Sequence, residues 1–230
     1  MYNKVTTVRK VISLTPNKEN FIKAIYELNG DSQIVPNKNL VQLLDVSAAS
    51  VTDMNARLVK ESIITYTPYR GVKLTEKGID IAHQLIRRHR LWEVFLSEKL
   101  GYEWNEIHED ADLLEHISSD KLIERLDAYL GHPTVDPHGD IIPNQDGETI
   151  DANHNPLVEF NEGDSVVIKQ VDDQDDFLKY LINKRISLGD EYEIVDIDPY
   201  EGPFTLKNEH EQQVVISYKA AFRIFVEKTE

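Results

Sequence analysis

The amino-acid sequence predicts a mainly α-helical protein that ends in a small β domain. From about residue 15 to residue 130, apolar residues recur at the three- and four-residue spacing of helices. The segment 131–163 is rich in Pro, Gly, Asp and His, which is typical of a linker or an irregular loop. Short β-type runs with tight turns then fill residues 164–228. With 230 residues, the chain is long enough for more than one compact unit.

Composition excludes several classes of protein. The chain has no cysteine, so disulfides, Cys-type zinc sites and thiol nucleophiles are ruled out. No apolar run approaches the ~20 residues that a helix needs to cross a bilayer. Residues 1–14 lack the long apolar stretch of a signal peptide. We therefore expect a soluble cytoplasmic protein without a membrane partner.

Charge is distributed unevenly along the chain. The net charge of −16, taken whole, argues against a nucleic-acid partner. Residues 1–90, however, hold 14 Lys and Arg against 8 Asp and Glu, a net charge of +6, whereas residues 91–230 hold 11 against 33, a net charge of −22. A basic segment can meet phosphate, while the acidic remainder either binds cations or only keeps the protein solvated. The charge pattern alone leaves both roles of the acidic part open.

The basic part begins with three predicted helices, at 15–29, 37–44 and 48–61. Thr15, Asn37 and Ser47 are the predicted N-caps, because their side chains can accept a hydrogen bond from a free backbone N–H. Pro16 suits the first helical position. The third helix has one apolar face, made of Val51, Met54, Leu58 and Val59.

Two β-rich runs follow and flank the turn at 68–71, which predicts a hairpin. Helix, helix, turn, helix, hairpin is the order of a winged helix-turn-helix. The exposed face of the third helix offers small, polar and basic residues to DNA, namely Ser47, Ser50, Asp53, Arg57 and Lys60. The wing offers Tyr69, Arg70 and Lys73. The pattern favours DNA binding, but it also fits a structural helical subdomain or a protein-interaction module.

Three further helices are predicted at 76–101, about 104–117 and about 119–130. The first carries large apolar groups on both faces, among them Leu85, Leu91 and Phe95. One face can cover the winged domain and the other a partner chain, so we expect a homodimer. After the loop, five β runs and one short helix at about 174–182 indicate a small β-barrel.

The spacing of acidic and histidine residues points to a bound metal. The cluster consists of His108, Asp112, Glu115 and His116, of which the last three converge on one helix face. The preceding helix supplies His89 and Glu93, four residues apart, and the loop supplies Asp136 and His138. Two such faces on consecutive helices can hold a metal between them. The alternative is a solvated acidic helix with incidental histidines.

Motifs for other chemistry are absent from the sequence. It contains no Gly-rich phosphate loop, no H-E-x-x-H and no Ser/His/Asp arrangement with a nucleophile signature. The segment GDIIPNQDGE lacks the regular acid spacing of a calcium loop. We therefore expect a protein that is not an enzyme.

Five segments of the chain are distinctive when they are taken together: TPNKENFIKAIYEL, VSAASVTDMNARL, RRHRLWEVFL, IHEDADLLEHISSDKLIERLD and HPTVDPHGDIIP. They resemble the diphtheria toxin repressor family, and more closely its manganese-responsive branch, from about Thr15 to Glu227. The resemblance implies a winged helix-turn-helix at 1–75 with 1–14 as an extension, a helical dimerisation and metal-binding domain at 76–145, a linker at 146–163 and an SH3-like β-barrel at 164–230. It also implies two metal sites per subunit.

The resemblance also assigns ligands by position. The primary site would use Asn20, Asp112, Glu115 and His116. The ancillary site would draw on His89, Glu93 and His108, and in the manganese branch also on Asp136, His138 and Asp173. The division of these candidates between the two sites stays open at this point.

Four positions depart from the family pattern. Asn20 stands where the manganese branch usually has Asp and the iron branch Met, and Asp112 stands where Glu or Cys is usual. Asp136 replaces a frequent Cys, and Ala49 replaces a frequent Pro of the recognition helix. Because an amide oxygen ligates without contributing charge, Asn20 is expected to bind a metal more weakly than Asp would.

The resemblance implies a metal-dependent repressor that binds double-stranded, palindromic operator DNA and controls metal-uptake genes. Without cysteine sulfur, the oxygen and nitrogen donors suit Mn²⁺, although Fe²⁺, Co²⁺ or Zn²⁺ would bind as well. A metal that joins Asn20 to the second domain would favour the state competent for DNA. The alternatives are a metal-dependent hydrolase using the same donors and a metal-independent winged-helix regulator.

Overall fold

The structure is a computed structural model that describes residues 14–149 and 154–229. Most of the predicted extension 1–14, and residues 150–153 of the predicted linker, therefore lie outside the described residues. The chain divides into two units, and the boundary falls between Leu85 and Ile86. None of the helices in the described ranges has the length and apolar character needed to span a membrane.

The first unit is built from three helices and a hairpin: α1 (Pro16–Glu27), α2 (Asn37–Leu44), α3 (Ala48–Lys60), β1 (Ile64–Thr67) and β2 (Gly71–Leu74). Its core is apolar, and Ile22, Leu40 and Leu58 are fully buried in it. Ser47 caps α3 as predicted, because its side chain accepts a hydrogen bond from the backbone N–H of Ser50. The predicted winged helix-turn-helix order is confirmed.

Three local predictions in this unit were wrong. Thr15 occupies the N-cap position of α1, but its side chain makes no capping hydrogen bond. Pro36, not Asn37, occupies the N-cap position of α2, and the Asn37 side chain instead accepts a hydrogen bond from Asn55. Val59 is 41% exposed, whereas Asn55 is buried on the apolar face of α3. The reason is the helical period: positions 51, 54, 55 and 58 share one face, while position 59 lies beside it.

The wing is braced near its turn by a short backbone bridge. Val35 and Val72 exchange two backbone hydrogen bonds, with N···O distances of 2.7 and 3.0 Å. Gly71 sits beside this bridge with a φ of +137°, and a Cβ atom there would lie 2.0 Å from the Val35 carbonyl oxygen. A glycine is therefore required at this position, both for its backbone conformation and for the close approach.

The second unit begins within α4 (Glu76–Leu100) and continues with α5 (Ile107–Ile117) and α6 (Asp120–Tyr129). A small apolar cluster of Leu91, Val94, Ile123 and Leu126 joins α4 to α6. Ile107 and Ala111 of α5 pack with Leu96 of α4. These contacts set the acidic and histidine faces of α4 and α5 against each other.

The C-terminal part is a six-stranded antiparallel sheet with the strand order β3-β8-β4-β5-β6-β7. Its elements are β3 (Asn155–Pro156), β4 (Ser165–Val171), α7 (Asp175–Lys184), β5 (Glu191–Ile197), β6 (Phe204–Lys207), β7 (Gln213–Ile216), α8 (Tyr218–Ala221) and β8 (Ile224–Lys228). The predicted mainly α fold with an SH3-like β domain is confirmed. Within the segment expected as a linker, 146–163, β3 pairs with β8 and Leu157 is buried in the sheet's core.

Candidate metal centre and nucleic-acid interface

A buried carboxylate, Glu93 on α4, lies at the centre of a histidine cluster. Its side chain is almost fully buried, and a buried carboxylate is stable only beside positive charge or donors. Glu93 Oε1 lies 3.1 Å from His89 Nε2, 2.9 Å from His108 Nδ1 and 4.0 Å from His138 Nδ1. Three histidines from different segments therefore face one carboxylate oxygen.

Two of these histidine rings are oriented by backbone carbonyls. His108 Nε2 lies 3.1 Å from the Asp173 carbonyl oxygen, and His138 Nε2 lies 3.4 Å from that of Trp104. Because a carbonyl oxygen only accepts, Nε2 carries the hydrogen in each ring. The Nδ1 atoms consequently face Glu93, as they would in a metal-binding histidine held by an outer partner.

Two buried atoms in this cluster support a cation. Among the described residues, Glu93 Oε1 and His138 Nδ1 are buried without a partner in hydrogen-bonding geometry. Such orphaned acceptors are rare in folded proteins and call for an explanation. A divalent cation would satisfy both, since carboxylate oxygen and neutral imidazole nitrogen are common metal ligands. The donor set therefore fits a metal ion.

A second group of donors meets the opposite edge of the His89 ring. His89 Nδ1 lies 2.8 Å from Glu115 Oε2 and 3.2 Å from Asp112 Oδ1, both on α5. His116 Nε2 lies 3.6 Å from Glu115 Oε1. Glu115 is fully buried, whereas the Asp112 side chain is largely exposed. His89 thus contacts Glu93 through Nε2 and both Asp112 and Glu115 through Nδ1.

The third group lies in the loop before the β domain. Asp136 Oδ1 accepts hydrogen bonds from the backbone N–H groups of His138 (2.8 Å) and Asp140 (3.0 Å). Gly139 has a φ of +89°, and a Cβ there would lie 2.1 Å from the Lys169 carbonyl oxygen. The loop is therefore packed closely on β4, which fixes His138 beside Glu93.

The pKa values reflect this concentration of charge. Burial alone would lower the pKa of His89, but Glu93, Asp112 and Glu115 outweigh it and hold that pKa well above its usual value. Burial raises the pKa of Asp136 well above its usual value, and the negative charge of Glu93 adds to the effect. The cluster therefore has a surplus of negative charge, which attracts cations.

The structure brings together seven of the predicted ligands of the second unit in three groups: His89, Glu93 and His108; His89, Asp112 and Glu115; and Glu93, Asp136 and His138. His116 is in none of these groups. Asp173 Oδ2 reaches His108 Nε2 at 4.0 Å. Asn20 lies exposed on α1 of the first unit, and its role as a ligand stays a prediction.

Sequence reasoning missed the groups that orient these ligands. The Trp104 carbonyl carries no side-chain signal, so no residue pattern could have revealed it. Arg90 lies 3.4 Å from Asp136 and 3.5 Å from Asp140. In the sequence it is one of several charged residues on α4, and nothing in the pattern marks it as a partner of the loop. Its proximity depends on the fold of the loop.

The candidate DNA surface lies on α3 and the wing. Its predicted contacts on α3 are all exposed: Ser47, Ser50, Asp53, Arg57 and Lys60. Arg57 forms an ion pair of 2.6 Å with Asp53 one turn earlier. Arg70 is exposed, and Lys73 is half-buried with its Nζ bonded to the Ser32 carbonyl at 2.8 Å. These contacts to DNA remain predictions.

Comparisons with known proteins cover almost the whole chain. Residues 13–72 match the family described as "Iron dependent repressor, N-terminal DNA binding domain". Residues 75–144 match "Iron dependent repressor, metal binding and dimerisation domain", and residues 155–228 match the FeoA domain.

Individual relatives agree with these matches. The iron-dependent repressor IdeR of Mycobacterium bovis is 31% identical over 130 residues, which span 56% of this chain and 56% of that relative. The solved structure of the manganese regulator SloR is 36% identical with a TM-score of 0.74, over 94% of this chain and all of that one. A manganese-dependent transcriptional repressor solved in complex with manganese is 31% identical with a TM-score of 0.84, over 92% of this chain and all of that one.

Proposed function

Because this chain belongs to the iron-dependent repressor family, which includes the diphtheria toxin repressor, we propose that it is a metal-activated repressor of transcription. In this proposal α3 and the wing bind double-stranded operator DNA, and the donors of the second unit sense the metal. The observation that carries it is the pair of orphaned buried acceptors, Glu93 Oε1 and His138 Nδ1, in a chain that also holds a winged helix-turn-helix.

We propose manganese as the sensed metal. Every candidate ligand offers oxygen or imidazole nitrogen, and the chain has no cysteine sulfur to favour softer ions. The manganese regulators among its structural neighbours support the same choice. Fe²⁺, Co²⁺ and Zn²⁺ would also bind these donors, so selectivity depends on geometry and supply rather than on donor type.

The protein's own residues prepare the site before a cation arrives. The backbone carbonyls of Asp173 and Trp104 hold the His108 and His138 rings with Nδ1 facing Glu93. Binding of a cation would therefore cost little further side-chain entropy. When bound, the metal would add positive charge beside buried carboxylates that already contact His89 and Arg90. The residues that would hold it lie on α4, on α5 and in the loop at 136–140, with Asp173 beside His108, so ligation would tie these segments together.

The proposed assembly is a homodimer on a palindromic operator. A twofold dimer presents two recognition helices, and successive major-groove faces repeat about every 34 Å along B-DNA. The match of residues 75–144 to a dimerisation domain supports this arrangement. Metal binding and DNA binding are then coupled, and each must strengthen the other equally.

A hydrolase would place these donors differently. Metal-assisted hydrolysis needs an open coordination position that faces substrate. Here Glu93, Glu115 and His138 are enclosed by protein, with exposures of 1%, 0% and 0%. A metal-independent regulator would have no use for an enclosed cluster with surplus negative charge. The geometry therefore favours a regulatory metal site.

The test is fluorescence anisotropy with a DNA duplex selected from a random-sequence pool, with Mn²⁺ or with a chelator. We expect DNA binding at least about tenfold weaker after chelation, which corresponds to about 1.4 kcal/mol. Glu93→Gln removes the central charge and should abolish the response, whereas Glu98→Gln, on the exposed side of the same helix, should keep it. Equal affinity with and without metal would contradict the proposal.

A further inference from the structure

The buried face of α3 carries one polar side chain among apolar ones. Val51, Met54 and Leu58 form this face, and Asn55, only 3% exposed, lies among them. Asn55 Nδ2 donates a hydrogen bond of 3.1 Å to Oδ1 of Asn37, the first residue of α2. Asn55 Oδ1 is buried without a hydrogen-bond partner in the described part of the chain. The amide is therefore only partly satisfied inside an apolar core.

This amide is an unfavourable choice for the stability of the fold. Burial of a polar group without its full set of partners costs free energy, whereas an apolar group of the same shape would gain it. Leucine has the same branched arrangement of heavy atoms and would continue the apolar face of α3. The bond between Asn55 and Asn37 therefore calls for a role other than stabilisation.

The packing of α2 on α3 supplies few other constraints. Within Asn37–Leu44, which spans about two turns, Leu40 is the one buried side chain. Apolar contacts have no preferred direction, and apolar interfaces lose a unique geometry before they lose stability. A hydrogen bond depends on both distance and angle. The amide pair can therefore fix an orientation that the apolar contacts leave free.

The orientation of α3 matters because its outer face is the candidate DNA surface. Ser50, Asp53 and Arg57 are exposed on that face. A rotation of about 20° would move an atom at the helix surface, about 5 Å from the axis, by about 2 Å. Hydrogen bonds to base edges tolerate only a few tenths of an ångström, whereas long side chains can still follow a phosphate. A loosened α3 would therefore lose base selectivity before it loses general affinity for DNA.

We propose that Asn55 is a positioning residue for DNA recognition. Its buried hydrogen bond to Asn37 fixes the rotation of α3 against α2, and this provides discrimination between the operator and other DNA at the expense of stability. Asn55 faces the core, so it acts through α3 and not by touching DNA. This inference rests on the proposed function, because it assumes that the metal-loaded protein binds duplex DNA selectively.

Asn55→Leu in the full-length, Mn²⁺-loaded protein tests the proposal, because stability and selectivity should change in opposite directions. The melting temperature should rise by about 2–4 °C. The ratio of the affinities for the selected duplex and a shuffled duplex should fall about tenfold, with affinity for the shuffled duplex unchanged. The log–log salt slope should stay the same, because no charge is lost. Met54→Leu, a swap of similar volume on the same face, is the matched control and should change neither property.

Variants of Asn37 show whether the bond itself carries the effect. Asn37→Asp keeps an acceptor for the Asn55 amide, so the selectivity ratio should be retained even where the added charge weakens binding to both duplexes. Asn37→Ala removes the acceptor, so selectivity should fall about tenfold and the melting temperature should fall as well. The double variant Asn37→Ala/Asn55→Leu should lose no more selectivity than either single variant.

The outcomes separate this inference from the proposed function. A melting temperature that falls in Asn55→Leu, together with weaker binding to both duplexes, would make Asn55 a structural residue only and overturn the inference. Unchanged selectivity in Asn55→Leu, or an equal loss in Met54→Leu, would also overturn it, and in each case the repressor proposal stands. If the wild type selects no duplex at all, both proposals fail.

Discussion

The candidate sites of the two units place their charged residues in opposite ways. In the first unit, Arg57, Lys60 and Arg70 are exposed around an apolar core. In the second unit, Glu93 and Glu115 are buried within the protein. Surface cations can meet an outside polyanion with little loss of hydration, whereas buried carboxylates require an enclosed positive partner. The comparison indicates that the first unit binds a ligand on its surface and the second unit binds one inside itself.

The largest expected effect concerns the enclosed site. At a free Mn²⁺ concentration about 1,000 times the dissociation constant, binding to the folded protein alone should add about 4 kcal/mol to the free energy of unfolding. Thermal unfolding of the full chain, with and without Mn²⁺, measures this shift. It should largely disappear in Glu93→Gln and persist in Glu98→Gln. A shift of the same size in both variants would mean that exposed acidic residues, not the buried cluster, bind the cation.

A smaller effect is expected from the cations on α3 and the wing of the first unit, of which Lys73 is half-buried and the other three are exposed. Single changes to Ala at Arg57, Lys60, Arg70 and Lys73 should weaken DNA binding and reduce the log–log salt slope by about 1 for each lost phosphate contact. The measurement is DNA affinity over a series of salt concentrations. Lys179→Ala, an exposed change on α7, is the control and should leave the slope unchanged. Unchanged slopes in all four variants would show that the DNA surface lies elsewhere.

The smallest effect is expected at Asn20. This position also tests the comparison between the two units most directly, because Asn20 is a predicted metal ligand that lies in the first unit. If its amide oxygen is a ligand, Asn20→Asp should tighten Mn²⁺ binding, because direct attraction to a divalent ion exceeds the desolvation of one carboxylate. Asn20→Ala should weaken metal-dependent DNA binding and leave the fold intact. Isothermal titration of Mn²⁺ measures the difference. Asn17→Asp adds the same charge elsewhere on α1 and is the control. Three identical isotherms for wild type, Asp and Ala would exclude Asn20 as a ligand.

Much of the local structure follows from residue spacing. The start of α1, the limits of α3 to within one residue, the cap at Ser47 and the hairpin turn agree with the sequence, because they depend on neighbours within a few residues. The errors at Asn37 and Val59 arose where a position next to a helix end or face was assigned by residue type alone. The helix α8 and the strand β3 were missed because each is too short to show a period.

The sequence by itself determined which donors each helix can offer. A period of 3.6 residues puts Asp112, Glu115 and His116 on one face of α5, and His89 with Glu93 on one face of α4. The absence of cysteine limited those donors to oxygen and nitrogen. These conclusions depend on helix geometry and composition, which are the same in any fold.

Only the tertiary structure decided which donors meet. His89 reaches Glu115 across 26 positions of sequence, and His108 reaches the Asp173 carbonyl across 65. Those approaches depend on the packing of α5 against α4 and on the close contact of Gly139 with β4. Burial of Glu93 and the orphaned state of its oxygen arise from the same packing. Dielectric environment and long-range proximity are properties of the folded chain, and no local pattern of residues encodes them.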